Sequence, residues 1–235
     1  MKIGTSRVEA FSDGVIAIII TIMVLLLKLP NIDKELTARA LVTYLHQQAP
    51  YFGAYVFSFM MVGIFWTNHH HMFHLLEKTD ETLLLLNLFF LFWMSLIPYT
   101  TALIGANPLL APSAALYGLI MLMTTMSLAL MRNYTLKRKL IHHDKDRKLT
   151  TTIYRVSIKA RTRNWVGTLA YLLSIPAAYI NIYLAFVCFL IPPIIFFIPH
   201  GVDDEACSLE LGRVGGETSE VRASDLPLQF VQLAR

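Results

Sequence analysis

Charged residues are scarce in this chain of 235 residues: 20 are basic and 16 are acidic, together 15% of the sequence, whereas 55% of the residues are hydrophobic. A soluble domain carries about 25% charged residues, and the mean hydropathy here is +0.54. Long stretches carry no charge, which excludes a soluble globular enzyme, a disordered regulator and a coiled coil. The composition predicts an all-α protein that crosses the membrane several times.

Cysteine is scarce too, with Cys188 in an apolar run and Cys207 in a polar segment. This pair excludes a disulfide framework and a thiolate metal site. The sequence also lacks a glycine-rich phosphate loop and a nucleophile–base pair, so we predict no catalytic residues, no enzyme activity and no cofactor. The net charge of +4 does not indicate nucleic-acid binding, because basic residues beside membrane spans usually set their orientation.

Hydrophobic segments divide the chain, since a membrane helix needs about 20 mostly apolar residues. The predicted spans are residues 11–29, 48–68, 82–104, 113–131, 164–179 and 182–198. Pro176 and Asn181 favour two short helices in the last uncharged stretch, with one long kinked span as the alternative. We therefore predict a six-helix transmembrane domain over residues 1–202 and a polar, mobile C-terminal tail over residues 203–235.

Basic residues are concentrated on one side of the predicted spans. Residues 132–163 form a polar, partly helical loop with eleven basic and two acidic residues. Six spans place seventeen basic residues on the side of the two termini and three on the other. The positive-inside rule then predicts that both termini are cytoplasmic. The basic loop 132–163 either binds anionic lipid headgroups or serves topology and solubility alone.

Polar residues stand at the mouth of the very apolar first span. A carboxylate that enters a span is costly unless it is paired or hydrated. Arg7 and Asp13 are six residues apart and do not share a helix face as an i, i+4 pair does. Asp13 therefore either finds a partner on another helix or caps the helix N-terminus together with Ser12.

A stripe of apolar side chains follows along the same helix. Ile18, Ile22 and Leu25 recur at helical spacing, and Thr21 beside them is the only hydroxyl deep in this span. In an arbitrary membrane helix such a stripe faces lipid or packs against another helix. Composition and spacing alone do not distinguish these roles from a pore lining.

Several short motifs follow one another over about residues 5–101. In chain order they are Arg7 with Phe11-Ser12-Asp13, Trp66 with His69 and Phe73, Lys78-Thr79-Asp80, Leu86-Asn87-Leu88, and Pro98-Tyr99-Thr100. This ordered set resembles the transmembrane protein 175 family of potassium channels, in its prokaryotic single-repeat form. Beyond this region the resemblance rests on topology alone.

The resemblance implies a homotetramer in a prokaryotic cell membrane, with K⁺ as the permeant ion and the first helix lining the pore. It places the hydrophobic constriction at Ile18, further layers at Ile22 and Leu25, and a position linked to potassium preference at Thr21. It also implies a polar network that holds helix ends together. The network residues are Arg7, Phe11, Ser12, Asp13 and His69, with Asn68 as a further candidate.

The physical chemistry of the sequence limits the kind of channel. It contains neither a TVGYG-like carbonyl filter nor a span with regularly spaced arginines that could sense voltage. A ring of isoleucines would form a dry neck that gates by dewetting. Ions that lose water more cheaply would pass more easily, which predicts weak selectivity for K⁺ over Na⁺.

Histidines cluster after the second predicted span, at His69-His70-His71 and His74. The spacing of His70 and His74 suits a metal, and proton sensing is an alternative role for the histidines. Glu77 and Asp80 are the only local carboxylates in the sequence. We therefore predict no metal site and interpret the cluster as interfacial. The alternative function is a small proton-coupled secondary transporter that uses Asp13 and these histidines.

Overall fold

The computed structural model describes residues 4–27, 37–76, 78–138, 140 and 147–197, and describes side chains throughout except in 147–163 and at 197. The predicted tail, 203–235, lies outside these ranges. The elements of the described part are all helical, which confirms the all-α fold class. They are α1 (Thr5–Ile22), α2 (Ala38–His74), α3 (Glu81–Ser95), α4 (Ile97–Ala106), α5 (Ala111–Arg138), α6 (Arg147–Ile180) and α7 (Ile182–Phe197).

The helices α3 and α4 together form one interrupted apolar stretch, Glu81–Ala106, so that the seven segments amount to six helices. Four stretches of the described chain are long and apolar enough to cross a membrane by length and composition: Thr5–Leu26, Ala38–His74, Glu81–Ala106 and Ala111–Arg138. The helix α7 is a shorter apolar helix.

The first helix begins earlier than the predicted span. Gly4 is the N-cap residue of α1, and a 3₁₀ turn, Met23–Leu26, continues the helix. At about 1.5 Å per α-helical residue and 2 Å per 3₁₀ residue, the two segments measure about 35 Å, enough to cross a hydrocarbon core. Ser12 and Asp13 lie well inside this helix, so the alternative that they cap its N-terminus is wrong.

Two local breaks have clear chemical causes. Pro98 lacks an N–H group and cannot continue the i→i−4 ladder, and the N–H of Leu96 turns back to the carbonyl of Trp93 at 3.2 Å. Further along, the side-chain oxygen of Asn181 accepts the N–H of Tyr183 at 2.9 Å. Asn181 thus caps α7, and the last uncharged stretch forms two helices and not one kinked span.

The predicted polar loop 132–163 is shorter than expected. The helix α5 continues to Arg138 and α6 already starts at Arg147, since basic residues are good helix formers outside the bilayer. Arg132 is buried, and its Nη2 donates a hydrogen bond of 3.1 Å to the carbonyl of Asn68 on α2. It is therefore a packing residue and not part of a solvated loop.

The helix α5 occupies the centre of the bundle, and α1 lies at its edge. Of the apolar window of each helix, 72% is buried in α5 and 28% in α1. The helix α5 contacts α3, α4 and α6, whereas α1 contacts α2 and α3. At Gly118 the helices α5 and α6 approach so closely that a Cβ would lie 2.5 Å from Oγ of Ser174.

Candidate functional site

A buried chain of hydrogen bonds fixes one side of α1 to its neighbours. Nδ2 of Asn87 on α3 donates to Oγ of Ser12 at 2.8 Å, and Oδ1 of Asn87 lies 2.8 Å from Nε2 of His69 on α2. The Ser12 hydroxyl donates to the carbonyl of Val8 at 2.8 Å. All three linked side chains are fully buried, and these hydrogen bonds satisfy most of their polar atoms, as an apolar surrounding demands.

The direction of these bonds determines where the His69 proton lies. An amide oxygen only accepts, so Nε2 of His69 carries a hydrogen and donates it to Asn87. Nδ1 of His69 is buried without a hydrogen-bond partner in the part of the chain that the structure describes. The ring lies between Phe73 and Phe90, with centroid distances of 4.4 and 5.5 Å. Two aromatic faces thus hold the imidazole in one orientation.

Asp13 takes part in a second, separate contact. The indole N–H of Trp66 on α2 donates to Oδ1 of Asp13 at 2.9 Å. Trp66 is thus the partner of Asp13 on another helix, one of the two alternatives that the sequence left open. An N–H donor of this kind stabilises the charged form of a carboxylate at the mouth of a span.

The remaining predicted network residues do not join these contacts within the chain. Arg7 and Phe11 lie on the exposed side of α1, and Phe11 is 54% exposed. Asn68 donates its side-chain amide to the carbonyl of Ile64, one turn earlier on its own helix, at 2.9 Å. The chain thus divides the predicted network: Ser12 and His69 are joined through Asn87, Asp13 binds Trp66, and Arg7 and Phe11 face outward.

The outward face of α1 carries the predicted pore residues. Ile18, Ile22 and Leu25 are 58%, 46% and 75% exposed. Thr21 is exposed beside them, and its Oγ1 lies 3.0 Å from the carbonyls of Ala17 and Ile18 of its own helix. The hydroxyl proton is therefore used within the helix, and the oxygen lone pairs remain available outward. A Cβ on Gly14 would meet nothing within 4 Å.

Three further residues that fix these helices are absent from the network that the sequence predicted. Asn87 bridges Ser12 and His69, and Trp66 binds Asp13. Asp80 caps α3 by accepting the N–H of Leu83 at 2.8 Å and also accepts the hydroxyl proton of Tyr134 on α5. The sequence does mark Asn87, because it is an amide inside an otherwise apolar run. It does not show which residue each of the three contacts.

Comparison with known proteins supports the resemblance. The family model described as "Endosomal/lysosomal potassium channel TMEM175" matches residues 7–98. A potassium channel of Chryseobacterium sp. (strain P1-3) is 34% identical over 193 residues, which cover 82% of this chain and 92% of that protein. An endosomal/lysosomal proton channel TMEM175 of Mus musculus is 37% identical over 101 residues, 41% of this chain and 20% of that protein.

A solved structure has the same fold. The crystal structure of a lysosomal potassium-selective channel TMEM175 homolog from Chamaesiphon minutus superimposes with a TM-score of 0.66 at 27% identity. The superposition covers 82% of this chain and 95% of that chain. Together with the bacterial relative matched over nearly its whole length, these findings confirm the family that the ordered motifs indicated: the chain belongs to the TMEM175 family.

Proposed function

We propose that this protein is a potassium-permeable channel, formed by four copies of the chain around a central pore that the outward face of α1 lines. The observation that carries the proposal is the division of α1 into two faces. Its inner face is fixed by the buried Ser12–Asn87–His69 hydrogen bonds, whereas Ile18, Ile22 and Leu25 remain uncovered within the chain. The relatives are named as channels and not as enzymes, and this chain is no enzyme either.

The constriction that we propose is hydrophobic. Four copies of Ile18 around an axis would form a narrow neck from which water withdraws, and such a neck gates conduction by dewetting. Successive rings of Ile22 and Leu25 would extend it by about two turns along the helix. An uncharged lining does not hold a cation tightly, which suits conduction. K⁺ sheds its hydration shell more cheaply than Na⁺, so the neck should favour K⁺. The expected preference is weak.

Thr21 is the one polar side chain among the proposed lining residues. Its proton is donated back to the helix carbonyls at 3.0 Å, which leaves the hydroxyl oxygen as an acceptor on the uncovered face. A ring of four such oxygens can replace part of the water that a cation loses. We propose that Thr21 favours K⁺ for this reason, because a partly dehydrated cation prefers oxygen ligands.

The membrane orientation is also a proposal. Seventeen basic residues against three favour a cytoplasmic position for both termini in a prokaryotic cell. Lys137 and Arg138 at the end of α5 are exposed and suit contact with anionic headgroups. Fusing a reporter that fluoresces only in the cytoplasm to the C-terminus tests the orientation: a dark fusion that is nevertheless inserted would reverse it.

Ion flux from proteoliposomes tests the function itself. Vesicles with purified protein and vesicles without it are compared under outward K⁺, Cs⁺ or Na⁺ gradients of equal size. A channel of this type gives passive, non-saturating flux, with K⁺ and Cs⁺ faster than Na⁺. Flux that saturates and requires an opposing gradient or a pH difference would instead indicate the proton-coupled transporter. Equal flux rates for K⁺ and Na⁺ would contradict the proposed preference for K⁺.

A further inference from the structure

Three metal-ligating side chains meet where the start of α1 packs against the end of α2. Glu9 and Asp13 lie one turn apart on α1, and His70 projects from α2. One ligand atom from each, an oxygen from either carboxylate and a ring nitrogen of His70, lies within 4.8 Å of the other two. All three residues are half-buried, so their ligand atoms are shielded from bulk water without being closed off from ions.

The best-defined pair in this cluster is Glu9 and His70. Nδ1 of His70 lies 3.1 Å from Oε1 of Glu9. That nitrogen is inaccessible to water and makes no hydrogen bond of acceptable geometry in the described part of the chain. Two ligands that share a metal at bond lengths of about 2.0–2.2 Å lie about 3 Å apart. The spacing therefore fits a shared ion, and the unsatisfied nitrogen supplies a lone pair for it.

Two carboxylates one helical turn apart repel each other unless a cation lies near. A basic side chain that approaches both carboxylates is the imidazole of His70. Trp66 donates to one oxygen of Asp13 at 2.9 Å and leaves the second oxygen for another partner. Trp66 also stacks on His70, with ring centroids 5.6 Å apart, and so fixes the imidazole that faces the two carboxylates.

We propose that Glu9, Asp13 and His70 form a binding site for a divalent transition metal of the zinc class, which joins α1 to α2. One imidazole nitrogen and two carboxylate oxygens are a donor set that Zn²⁺ and its neighbours accept, with a water in the remaining position. Mg²⁺ and Ca²⁺ favour more oxygen ligands and no imidazole. The sequence predicted no metal here because the carboxylates that the fold brings to His70, Glu9 and Asp13, lie 61 and 57 residues before it in the chain.

Metal binding to the purified full chain tests this site without reference to ion conduction. ZnCl₂ is titrated calorimetrically into the wild type, Glu9→Gln and His70→Gln, with Glu81→Gln and His71→Gln as matched controls outside the cluster. We expect one ion per chain for the wild type and the controls, and about tenfold or greater weakening for either cluster variant. Size-exclusion profiles establish that the variants are folded.

A second measurement separates ligation from a structural role. Co²⁺ replaces Zn²⁺, and its visible spectrum reports whether nitrogen and oxygen ligands hold it. Glu9→His retains a ligand and should restore binding, whereas Glu9→Gln should not. Equal weakening in His71→Gln and His70→Gln would move the ion to the exposed face of α2. Absence of Zn²⁺ binding by the folded wild type would overturn the site and leave a histidine–glutamate ion pair only.

Discussion

Nδ2 of Asn87 donates a hydrogen bond of 2.8 Å to Oγ of Ser12, and through it α3 holds the buried side of the proposed pore helix. Because the same amide also accepts from His69 at 2.8 Å, one residue satisfies polar groups on two neighbouring helices. The proposed pore face lies on the other side of α1. The polar residues thus determine which face of the helix remains available for the pore.

The first prediction concerns this amide. Asn87→Leu keeps the branched shape of the side chain but leaves Nε2 of His69 without its acceptor, at a cost of about 1–3 kcal/mol. Ser12 loses the donor Asn87 and keeps its bond to the Val8 carbonyl. The unfolding temperature of the purified protein should fall clearly. Thr67→Val is the control, because the Thr67 hydroxyl bonds only to its own helix, at 2.9 Å. An Asn87→Leu protein that unfolds at the wild-type temperature would show that the network carries little stability.

The second prediction concerns the constriction. Ile18→Asn should hydrate the neck and lower the ratio of K⁺ to Na⁺ flux toward one, because a wet neck no longer demands dehydration. Leu169→Asn on α6 is the matched control, since Leu169 is 56% exposed and Ile18 is 58% exposed. Proteoliposome flux of both ions measures the ratio.

Leu169 and Ile18 also follow neighbouring polar residues at similar intervals along their helices. Asn164 and Asn68 line the same small cavity, and Asn68 precedes His69, which connects to Ser12 through Asn87. Leu169 follows Asn164 by about as many residues as Ile18 follows Ser12. An unchanged flux ratio in Ile18→Asn, or the same change in both variants, would exclude Ile18 as the selective position.

The third prediction isolates the pore hydroxyl. Thr21→Val keeps the shape of the side chain and removes the oxygen, so the preference for K⁺ should fall by up to about fivefold, which corresponds to one hydrogen bond of about 1 kcal/mol. K⁺ flux itself should persist. Thr43→Val is the control, because Thr43 is also exposed and bonds its own helix at 3.0 Å. Selectivity that survives in Thr21→Val would place the preference elsewhere.

The fourth prediction separates assembly from selectivity. Trp66→Phe removes the indole donor and leaves Asp13 without its 2.9 Å partner. Arg7→Ala removes a guanidinium that faces outward from α1, toward the position of a neighbouring copy in the proposed tetramer. Both variants should give fewer tetramers on size-exclusion chromatography with light scattering. Those that assemble should keep the wild-type ratio of K⁺ to Na⁺ flux; tetramers of normal yield with an altered ratio would reverse these roles.

The fifth prediction tests the packing of α5 on α6. Gly118→Ala places a Cβ 2.5 Å from Oγ of Ser174, and such overpacking costs about 1–3 kcal/mol. Replacing Ser174 by alanine as well should recover part of that loss, because the hydroxyl oxygen is then gone. Gly63→Ala is the control: a Cβ there meets nothing within 4 Å, so its effect on the unfolding temperature should be neutral or stabilising.

The sequence by itself determined the fold class, the number of helices and the family. Hydropathy is a local property, since each segment either meets the length and polarity that a bilayer requires or does not. The motifs around Asp13 and His69 are likewise written in short stretches of chain. Hydropathy predicted the helix ends less accurately. The helices α2, α5 and α6 are longer than a bilayer requires, and outside the bilayer hydropathy no longer constrains a helix.

Only the tertiary structure decided which residues meet. Ser12 and Asn87 are 75 residues apart in the chain, and their bond depends on the rotation of α1 and α3 about their own axes. The same holds for Trp66 with Asp13 and for Arg132 with the carbonyl of Asn68. Packing of α1 between α2 and α3 selects one face for burial, and the side chains on the other face thereby become the candidates for a pore.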